Sequence, residues 1–414
     1  MPLLRNWRKK PVTKNSEKRV PALRFKGFTN DWEQRKFTEL GKLYYGKSAP
    51  KWSVVEKGGT PCIRYGELYT KYSSKIDNVY SHTSIDKSKL KFSTGNELLI
   101  PRVGEEPLDF AKHTSWLSIP NVAIGEMITV LKTKENPLFL ANYLRAKYVF
   151  KFARLVEGGN VSNLYFERYE DTNILIPSKN EQQNISKLIL KIDKLITLQQ
   201  RKLELLSLIK KTIIKHLFKL KNSDSLNLKF KTSCSQWNSK KLGEIAKFIN
   251  GRAFKQSELL NKGKYPVLRV GNFYTNDKWF YSDLNLNKNK YADKGDLLYT
   301  WSATFGPHIW KGSKVIFHYH IWKIDFDPST VNKTFLFYFL EADKENLLTN
   351  SNGSTMIHIT KSNMENKIIN LPQFSIQQNI GTFLSNLDYL INQVKIKSKQ
   401  LIQLKRFLLQ NMFI

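Results

Sequence analysis

The chain repeats itself once, and this repeat limits it to architectures built from two copies of one unit. The segment DWEQRKFTELGKLYYGK (31–47) aligns with QWNSKKLGEIAKFINGR (236–252) at a shift of 205 residues. At the same shift, TPCIRYGELYT (60–70) aligns with YPVLRVGNFYT (265–275). Two separate blocks in one register indicate an internal duplication.

The end of each copy is also shared, although the middle is not. The segment ILIPSKNEQQNI (174–185) aligns with INLPQFSIQQNI (369–380), now 195 residues apart. The middle of the second copy is therefore about ten residues shorter than that of the first. This pattern is typical of one scaffold that carries two different binding surfaces.

Each copy combines the signals of strands and helices. Runs rich in β-branched and aromatic residues predict strands at 128–133 and 314–326, while 137–155 has the apolar spacing of a helix. We therefore predict two globular domains of a mixed α/β (α+β) class. The predicted parts are a basic N-terminal extension (1–30), a first domain (31–178), a central long helix (179–220), a polar linker (221–235), a second domain (236–373) and a C-terminal long helix (374–414).

A long helix follows each domain, and its apolar residues recur at the spacing of a coiled coil. Gly381 alone interrupts these two segments, which otherwise lack Pro and Gly. The predicted seam residues are Ile185, Leu188, Ile192, Leu195, Lys202 and Leu206 in the first helix and Ile380, Phe383, Leu387, Leu390, Lys397 and Leu401 in the second. Connectivity makes the pair antiparallel, with a pseudo-two-fold relation between the copies. The alternative is that each helix is buried in its own domain.

The charge of the chain favours a polyanionic partner. Its 67 Lys and Arg residues against 35 Asp and Glu give a formal net charge of +32. A general richness in Lys and Asn is the alternative explanation, so charge alone does not identify DNA. Cys62 and Cys234 are too isolated for a disulfide framework or a zinc site, and no apolar run is long enough to span a membrane. We expect a cytoplasmic protein without a metal site.

Motifs for catalysis are missing. Gly41, Gly46, Lys47 and Ser48 match the phosphate-binding P-loop pattern, but Ala49 and Pro50 follow where a helix should begin. The sequence lacks the Asn-Pro-Pro-Tyr-like tetrapeptide of a methyltransferase and the Pro-Asp…Glu-x-Lys pattern of a nuclease. His318 and His320 have no third metal ligand nearby. We therefore expect a chain that is not an enzyme.

The layout resembles the specificity subunit of Type I restriction-modification systems. The resemblance rests on the two domain openings, the Gly-Asp-Leu-Leu run at 295–298 and the helix entries EQQNI and IQQNI, and it covers about 21–414. It implies two target-recognition domains that read a split, asymmetric sequence in double-stranded DNA. The first copy departs from the pattern, since Gly-Asn-Glu-Leu-Leu stands at 95–99.

The same resemblance implies the partners and cofactors. Two modification (methyltransferase) subunits would bind the long helices, and restriction subunits (nuclease and translocase) would join through them. No cofactor is expected in this chain. S-adenosylmethionine would serve the modification subunits, and ATP and Mg would serve the restriction subunits.

Comparison of the two copies suggests which residues contact DNA. Residues shared by both copies cannot read two different sequences, so they belong to the scaffold, to phosphate or to partners, whereas diverged polar residues are candidates for base readout. An exposed polar loop without contacts is the alternative for each. The candidates are Lys47, Arg64, Arg102, Asn160, Ser162, Asn163 and Arg168 in the first copy and Arg252, Arg269, Trp301, Ser302, Thr304, His320, Ser354, Thr355, His358 and Lys361 in the second.

Two shared pairs of residues have specific interpretations. Arg64 and Arg269 either contact phosphate or form structural ion pairs, and Trp32 and Trp237 are interpreted as core anchors. Two other classes of protein compete with the specificity subunit: a single-chain DNA methyltransferase or restriction enzyme, which the missing motifs disfavour, and a basic coiled-coil scaffold, which the two diverged domains disfavour.

Overall fold

The computed structural model describes residues 19–47, 49–56, 58–218, 237–274, 276–302, 304–350 and 359–414, without the side chains of 345–350. The chain divides into two units. Unit 1 consists of Met1–Leu198 and Lys397–Ile414, and unit 2 of Gln199–Ile396. The predicted linker at 221–235 lies outside the described residues.

Unit 1 is a mixed α/β fold. Its strands are β1 (Glu33–Lys36), β2 (Gly41–Tyr45), β3 (Val54–Val55), β4 (Thr60–Ile63), β5 (Lys75–Ile76), β6 (Ser81–Thr83), β7 (Phe92–Thr94), β8 (Glu97–Pro101), β9 (Val103–Gly104), β10 (Ser115–Leu117), β11 (Pro120–Ile124), β12 (Ile128–Thr133), β13 (Ser162–Asn163) and β14 (Asn173–Ile176). Its helices are α1 (Phe37–Leu40), α2 (Tyr65–Thr70), α3 (Asp109–Lys112), α4 (Pro137–Lys147), α5 (Val149–Ala153) and the start of the long helix α6 (Lys179–Leu217).

Two five-stranded sheets form the body of unit 1, in the orders β2-β12-β8-β10-β5 and β3-β6-β4-β11-β7. Strand β8 is buried on both faces, since Leu98 belongs to the core beneath α6 and Leu99 to the core between the sheets. A short pair, β1-β14, ties the start of the domain to the strand that leads into α6.

Unit 2 repeats this plan with fewer strands. Its strands are β15 (Asn238–Lys241), β16 (Ala246–Asn250), β17 (Tyr265–Leu268), β18 (Phe280–Ser282), β19 (Tyr291–Ala292), β20 (Leu297–Thr300), β21 (Gly306–Ile309), β22 (Val315–Phe317), β23 (Ile321–Phe326) and β24 (Ile368–Leu371). Its helices are α7 (Leu242–Ile245), α8 (Lys333–Asn350), α9 (Lys361–Glu365) and the long helix α10 (Phe374–Asn411), which ends in unit 1.

The sheets of unit 2 run in the orders β16-β23-β20-β21 and β18-β17-β22-β19, with the pair β15-β24 equivalent to β1-β14. The strand signals at 128–133 and 314–326 are confirmed as β12 and as β22 with β23, and the helical signal at 137–155 as α4 with α5. No helix of the described residues is long and apolar enough to cross a membrane.

The Gly-Asp-Leu-Leu run and its variant form the same turn. Gly95 and Gly295 have φ values of +96° and +95°, a conformation that favours glycine. The carboxylate of Glu97 accepts hydrogen bonds from the backbone N–H groups of 94–96, and that of Asp296 accepts one from the N–H of Asp293 at 2.8 Å. The extra residue in the first copy therefore leaves the function of the carboxylate unchanged.

The long helices are antiparallel within each unit, as the connectivity predicts. In unit 1, Lys405 Nζ of α10 lies 2.6 Å from Asp193 Oδ1 of α6. In unit 2, Lys210 Nζ of α6 lies 2.6 Å from Asp388 Oδ1 of α10. The two lysines are 195 residues apart, and so are the two aspartates, so the duplicated segments form the same ion pair in each unit.

The buried face of these helices confirms seven of the twelve predicted seam residues and corrects the other five. Ile185, Leu188, Ile192, Leu206, Ile380, Leu387 and Leu401 are buried or half-buried as expected. Leu195 is 44% exposed. The other predicted seam residues that are exposed are Lys202, Phe383, Leu390 and Lys397. The residues that are buried or half-buried in their place are Ile189, Ile196, Leu203, Leu384, Ile391 and Ser398. The two lysines therefore do not interrupt a seam.

The shared helix entry is a structural clamp. Gln182 is buried, accepts a hydrogen bond at Oε1 from the N–H of Asn136, and donates from Nε2 to the carbonyl of Pro177. Gln377 makes the equivalent bonds to Asn332 and Pro372. In each unit one glutamine thus joins the start of the long helix to the residue before α4 or α8.

We expect Gln182→Ala to destabilise unit 1 by about 3 kcal/mol, because it leaves a half-buried N–H and a buried carbonyl without partners. The neighbouring Gln183 is exposed, so Gln183→Ala should change stability by less than about 0.5 kcal/mol. Amide hydrogen exchange resolved by peptide checks both variants. Equal protection in unit 1 for the two variants would contradict the clamp.

One predicted boundary and one core assignment differ from the structure. Residues of the predicted extension belong to unit 1, since Arg24 forms an ion pair with the buried Glu181 and the N–H of Leu23 donates to the carbonyl of Asn411. Trp32 is 1% exposed and packs against Phe139. Trp237, interpreted as its counterpart in the core, is 37% exposed.

Candidate nucleic-acid interface

Three chain segments of unit 1 meet where its two large sheets adjoin. The N–H of Lys47 donates to the carbonyl of Ile124 at 2.8 Å, and the N–H of Gly125 donates to that of Ile63 at 2.9 Å. Arg64 follows Ile63 directly. These bonds bring the segments that end β2, β4 and β11 together.

Unit 2 builds the same meeting point from equivalent residues. The N–H of Arg252 donates to the carbonyl of Phe317 at 3.1 Å, and that of His318 donates to Leu268 at 2.9 Å. Arg269 follows Leu268. We call each of these places a cation junction, formed by Lys47, Arg64 and Lys91 in unit 1 and by Arg252, Arg269 and Lys290 in unit 2.

A shared glycine makes the junction possible. A Cβ on Gly46 would lie 2.1 Å from the carbonyl oxygen of Gly125, and a Cβ on Gly251 would lie 2.2 Å from that of His318. No side chain tolerates such an approach to backbone. The glycine therefore allows the cation that follows it, Lys47 or Arg252, to sit against the neighbouring segment.

Sequence comparison missed the third cation of each junction. Lys91 Nζ donates to the carbonyl of Tyr45 at 2.7 Å, and Lys290 Nζ donates to that of Asn250, also at 2.7 Å. Each carbonyl belongs to the residue before the shared glycine. The two lysines lie outside the aligned blocks, where the copies differ in length, so the alignment does not pair them.

The shared arginines do not form structural ion pairs with the residues that the structure describes. The backbone N–H of Arg64 donates to Glu67 Oε2 at 3.1 Å, and that of Arg269 donates to Asn272 Oδ1 at 3.0 Å. The guanidinium of Arg269 lies 4.3 Å from the centre of the Phe280 ring. Both guanidinium charges are therefore left for an external anion, which favours the phosphate interpretation.

Different side chains stand beside these shared cations in the two units. In unit 1, the N–H of Arg102 donates to the carbonyl of Met127 at 3.1 Å, and in unit 2 the N–H of Trp301 donates to that of His320 at 3.2 Å. The residues before the shared glycines also differ. We call these diverged residues the variable positions: Tyr45, Arg102, Gly125 and Met127 in unit 1 and Asn250, Trp301, His318 and His320 in unit 2.

The diverged loop 157–168 reaches the variable positions of unit 1. Strand β13 in this loop pairs with β9, and the N–H of Leu164 donates to the carbonyl of Arg102 at 2.8 Å. The hydroxyl of Tyr45 donates to Glu167 Oε2 at 2.6 Å. Burial and this carboxylate raise the pKa of Tyr45, so its phenol keeps the proton at neutral pH.

Aromatic rings occupy three of the four variable positions of unit 2, those of Trp301, His318 and His320. Trp301 stacks on Trp322 with ring centres 5.7 Å apart, and its Nε1–H donates to the carbonyl of Tyr319 at 3.1 Å. Burial, followed by the nearby charges of His320 and Arg269, lowers the pKa of His318. Its imidazole is therefore neutral at neutral pH. No group of three potential metal ligands occurs among the described residues.

The remaining candidates from the sequence lie in several settings. Ser162 is 4% exposed, and its burial in the β9-β13 pair removes it from the candidate DNA contacts. Asn160 and Thr304 are exposed, and Asn163 and Ser302 are half-buried. Ion pairs engage three candidate cations, Arg168 with Glu157, Arg252 with Glu258 and Lys361 with Glu365. Ser354, Thr355 and His358 lie outside the described residues.

The P-loop look-alike is a strand. Gly41–Tyr45 forms β2 and pairs with β12, with Lys42 opposite Lys132. The segment is therefore extended rather than curled around a phosphate. A cleft of about 1020 Å³ at its start carries both signs of charge, including Arg24, Glu39, Lys132 and Glu181, and so does not resemble a polyanion site.

These junctions have the properties of a surface that binds nucleic acid. Three cations recur at equivalent places in both units, which suits contact with phosphates of any sequence. The adjoining variable positions offer a guanidinium in one unit and indole and imidazole groups in the other. The class is a duplicated cation-lined domain with two different reading surfaces.

Comparison with known proteins agrees with this class. The family model for the Type I restriction modification DNA specificity domain matches residues 29–208 and 234–405. The chain belongs to this family and contains two copies of its domain.

Named relatives and solved structures point the same way. The putative type I restriction enzyme MjaX specificity subunit of Methanocaldococcus jannaschii is 26% identical over 406 residues, covering 93% of each chain. The EcoBI specificity subunit of Escherichia coli is 24% identical over 173 residues, which is 41% of this chain and 36% of that protein. The crystal structure of the Type I restriction-modification S subunit from M. genitalium shares the fold, with a TM-score of 0.59, 17% identity and coverage of 95% of this chain and 99% of that one.

Proposed function

We propose that this protein is the DNA-specificity subunit of a Type I restriction-modification complex, in which each unit reads one half of a bipartite, asymmetric target in double-stranded DNA. The observation that carries the proposal is the pair of cation junctions. Arg64 and Arg269, which are equivalent and form no ion pair among the described residues, would hold phosphates in the same way, while the variable positions beside them would read different bases. Two units with different variable positions in one chain would account for an asymmetric target.

The chain itself acts by recognition and not by catalysis under this proposal. Its partners supply the chemistry, with S-adenosylmethionine used by the modification subunits and ATP and Mg used by the restriction subunits. The chain needs no cofactor for reading DNA, and the complex works in the cytoplasm, where its DNA is found.

The long helices supply a surface for two modification subunits. Leu195 and Leu390 are exposed at equivalent positions, and so are Ile209 and Leu404. Exposed apolar residues of this size at matching places are typical of protein interfaces. A surface that occurs twice suits two copies of one partner, and the restriction subunits would join through those partners.

We test this function by domain replacement. Residues 236–373 are replaced with the matching domain of a relative, and methylated sites are mapped across a genome for the assembled complex. We expect one half of the recognised sequence to change and the other half to stay. The reciprocal replacement of 31–178 serves as the control, and it should change only the other half.

A change in both halves after either replacement would contradict independent reading. The absence of any sequence-dependent methylation by the unaltered complex would contradict the proposed function itself.

A further inference from the structure

We propose that Arg102 reads a guanine in the half-site of unit 1, and that unit 2 reads a different base at the equivalent place because Trp301 stands there. This inference rests on the proposed function and assigns one base contact within it. The argument begins with the surroundings of the Arg102 side chain.

Aromatic rings hold the guanidinium of Arg102 in place. Its Cζ lies 4.8 Å from the centre of the Tyr45 ring and 6.0 Å from that of Tyr165. Contact between a guanidinium and aromatic faces is attractive and limits the rotamers of the side chain. Tyr45 is itself fixed by its hydrogen bond to Glu167. The guanidinium of Arg102 is therefore held in a defined orientation in the absence of DNA.

The hydrogen-bonding capacity of Arg102 is largely unused. Its Nη2–H contacts Met127 Sδ at 3.0 Å, and sulfur is a weak acceptor. Its Nε–H is buried without a partner among the described residues, and no carboxylate of that part of the chain forms an ion pair with it. Nearby carboxylates are engaged elsewhere, Glu157 with Arg168 and Glu167 with Tyr45. A full positive charge with free donors is thus retained at this place.

Arg102 and Trp301, at equivalent positions, offer a base different groups. A guanidinium presents parallel donors that match O6 and N7 of guanine in the major groove. The only polar hydrogen of the Trp301 side chain is its Nε1–H, which already donates to the carbonyl of Tyr319. Unit 2 therefore lacks the guanine-specific fork at the equivalent position.

The shared cations next to Arg102 provide an internal contrast. Arg64 lies in the cation junction of unit 1 and has a counterpart, Arg269, in unit 2. A residue common to both readers contributes to affinity for any sequence, whereas a residue found in one reader contributes to preference. The two kinds of arginine should therefore respond differently to the same substitution.

The test uses the full chain in complex with its modification subunit and a randomised library of duplex DNA. Arg102→Gln should reduce the preference for guanine at one position of one half-site by roughly 5- to 150-fold and raise the preference for adenine there, since glutamine pairs with adenine. Arg102→Lys should keep a weaker preference for guanine. Arg64→Gln, the matched control, should weaken binding to all sequences and leave the selected motif unchanged.

Three results would overturn the assignment of Arg102. One is an unchanged motif for Arg102→Gln. Another is loss of selection throughout the half-site for both Arg102 variants, which would show that the residue supports the loop and not a base contact. The third is a loss of guanine preference in Arg64→Gln equal to that in Arg102→Gln. If the unaltered complex selects no split motif, the proposed function fails, and this outcome is distinct because it appears before any substitution.

Discussion

Replacing Gly46 with alanine is expected to disrupt the cation junction of unit 1 and to leave unit 2 folded. The added Cβ would lie 2.1 Å from one carbonyl oxygen and 2.6 Å from the next, those of Gly125 and Ile124. Both obstacles are backbone atoms, so the strand end must move. We expect a loss of stability of about 3 kcal/mol in unit 1 together with loss of recognition of one half-site.

Gly66→Ala provides the matched control for this change. A Cβ on Gly66 meets no atom within 4 Å, and the residue lies in α2, so alanine should be neutral or stabilising by about 0.4–1 kcal/mol. Hydrogen exchange resolved by peptide measures each unit separately, and binding to a randomised duplex library measures each half-site. Equal loss of protection in both units for Gly46→Ala would mean that the effect is not local to the junction.

The equivalent change in unit 2 should produce the mirror result. A Cβ on Gly251 would lie 2.2 Å from the carbonyl oxygen of His318. Gly251→Ala should therefore abolish recognition of the other half-site and leave that of unit 1 intact. The pair of variants separates the two readers without exchanging a whole domain.

The two-domain architecture was predictable because the residues that contact the backbone are the same in both copies and reveal the duplication. Gln182 and Gln377 are shared because their side chains satisfy equivalent buried backbone groups. Gly46 and Gly251 are shared because no side chain fits there. Such residues resist change whatever each domain binds, so two copies that differ elsewhere still align on them.

The phase of the helix seam was not predictable, because the apolar band of each long helix is wider than one seam. Leu188 and Ile189 are adjacent, as are Leu195 and Ile196. Successive seam residues can be three and then four positions apart, or four and then three, and both orders complete a seven-residue repeat. The repeat therefore does not tell which of two adjacent apolar residues belongs to the seam. Only the position of the opposing helix decides how deeply each member of a pair is buried: Ile189 is buried beside the half-buried Leu188, and Ile196 is half-buried beside the exposed Leu195.

The variable positions were only partly predictable. Arg102 and Trp301 stood out as diverged residues on equivalent segments, and His320 as a candidate next to His318, but Tyr45 and Asn250 did not stand out. The sequence signal that could have identified Tyr45 and Asn250 is their place directly before the shared glycine. Tyr45 lies near Arg102, and Asn250 near Trp301, because strands distant in sequence pair with each other. A single sequence does not reveal which strands pair.

The two shared tryptophans are expected to differ strongly in their contribution to stability. Trp32 is 1% exposed and makes edge contacts with Phe139 and Tyr143, with ring centres 5.8 Å and 5.7 Å apart. Trp237 is 37% exposed, and its ring centre lies 6.4 Å from that of Phe335. We expect Trp32→Ala to destabilise unit 1 by about 3–5 kcal/mol and Trp237→Ala to destabilise unit 2 by about 1 kcal/mol.

A third variant separates lost packing from the lost indole N–H. The Trp32 Nε1–H is buried without a partner among the described residues. Trp32→Phe removes this unsatisfied donor and keeps an aromatic ring against Phe139, so it should cost much less than Trp32→Ala. Circular dichroism during urea unfolding and peptide-resolved hydrogen exchange measure the order of the three variants. If Trp237→Ala were as damaging as Trp32→Ala, the tryptophan of unit 2 would be a core anchor, as the sequence predicted, and the expected difference between the two tryptophans would be wrong.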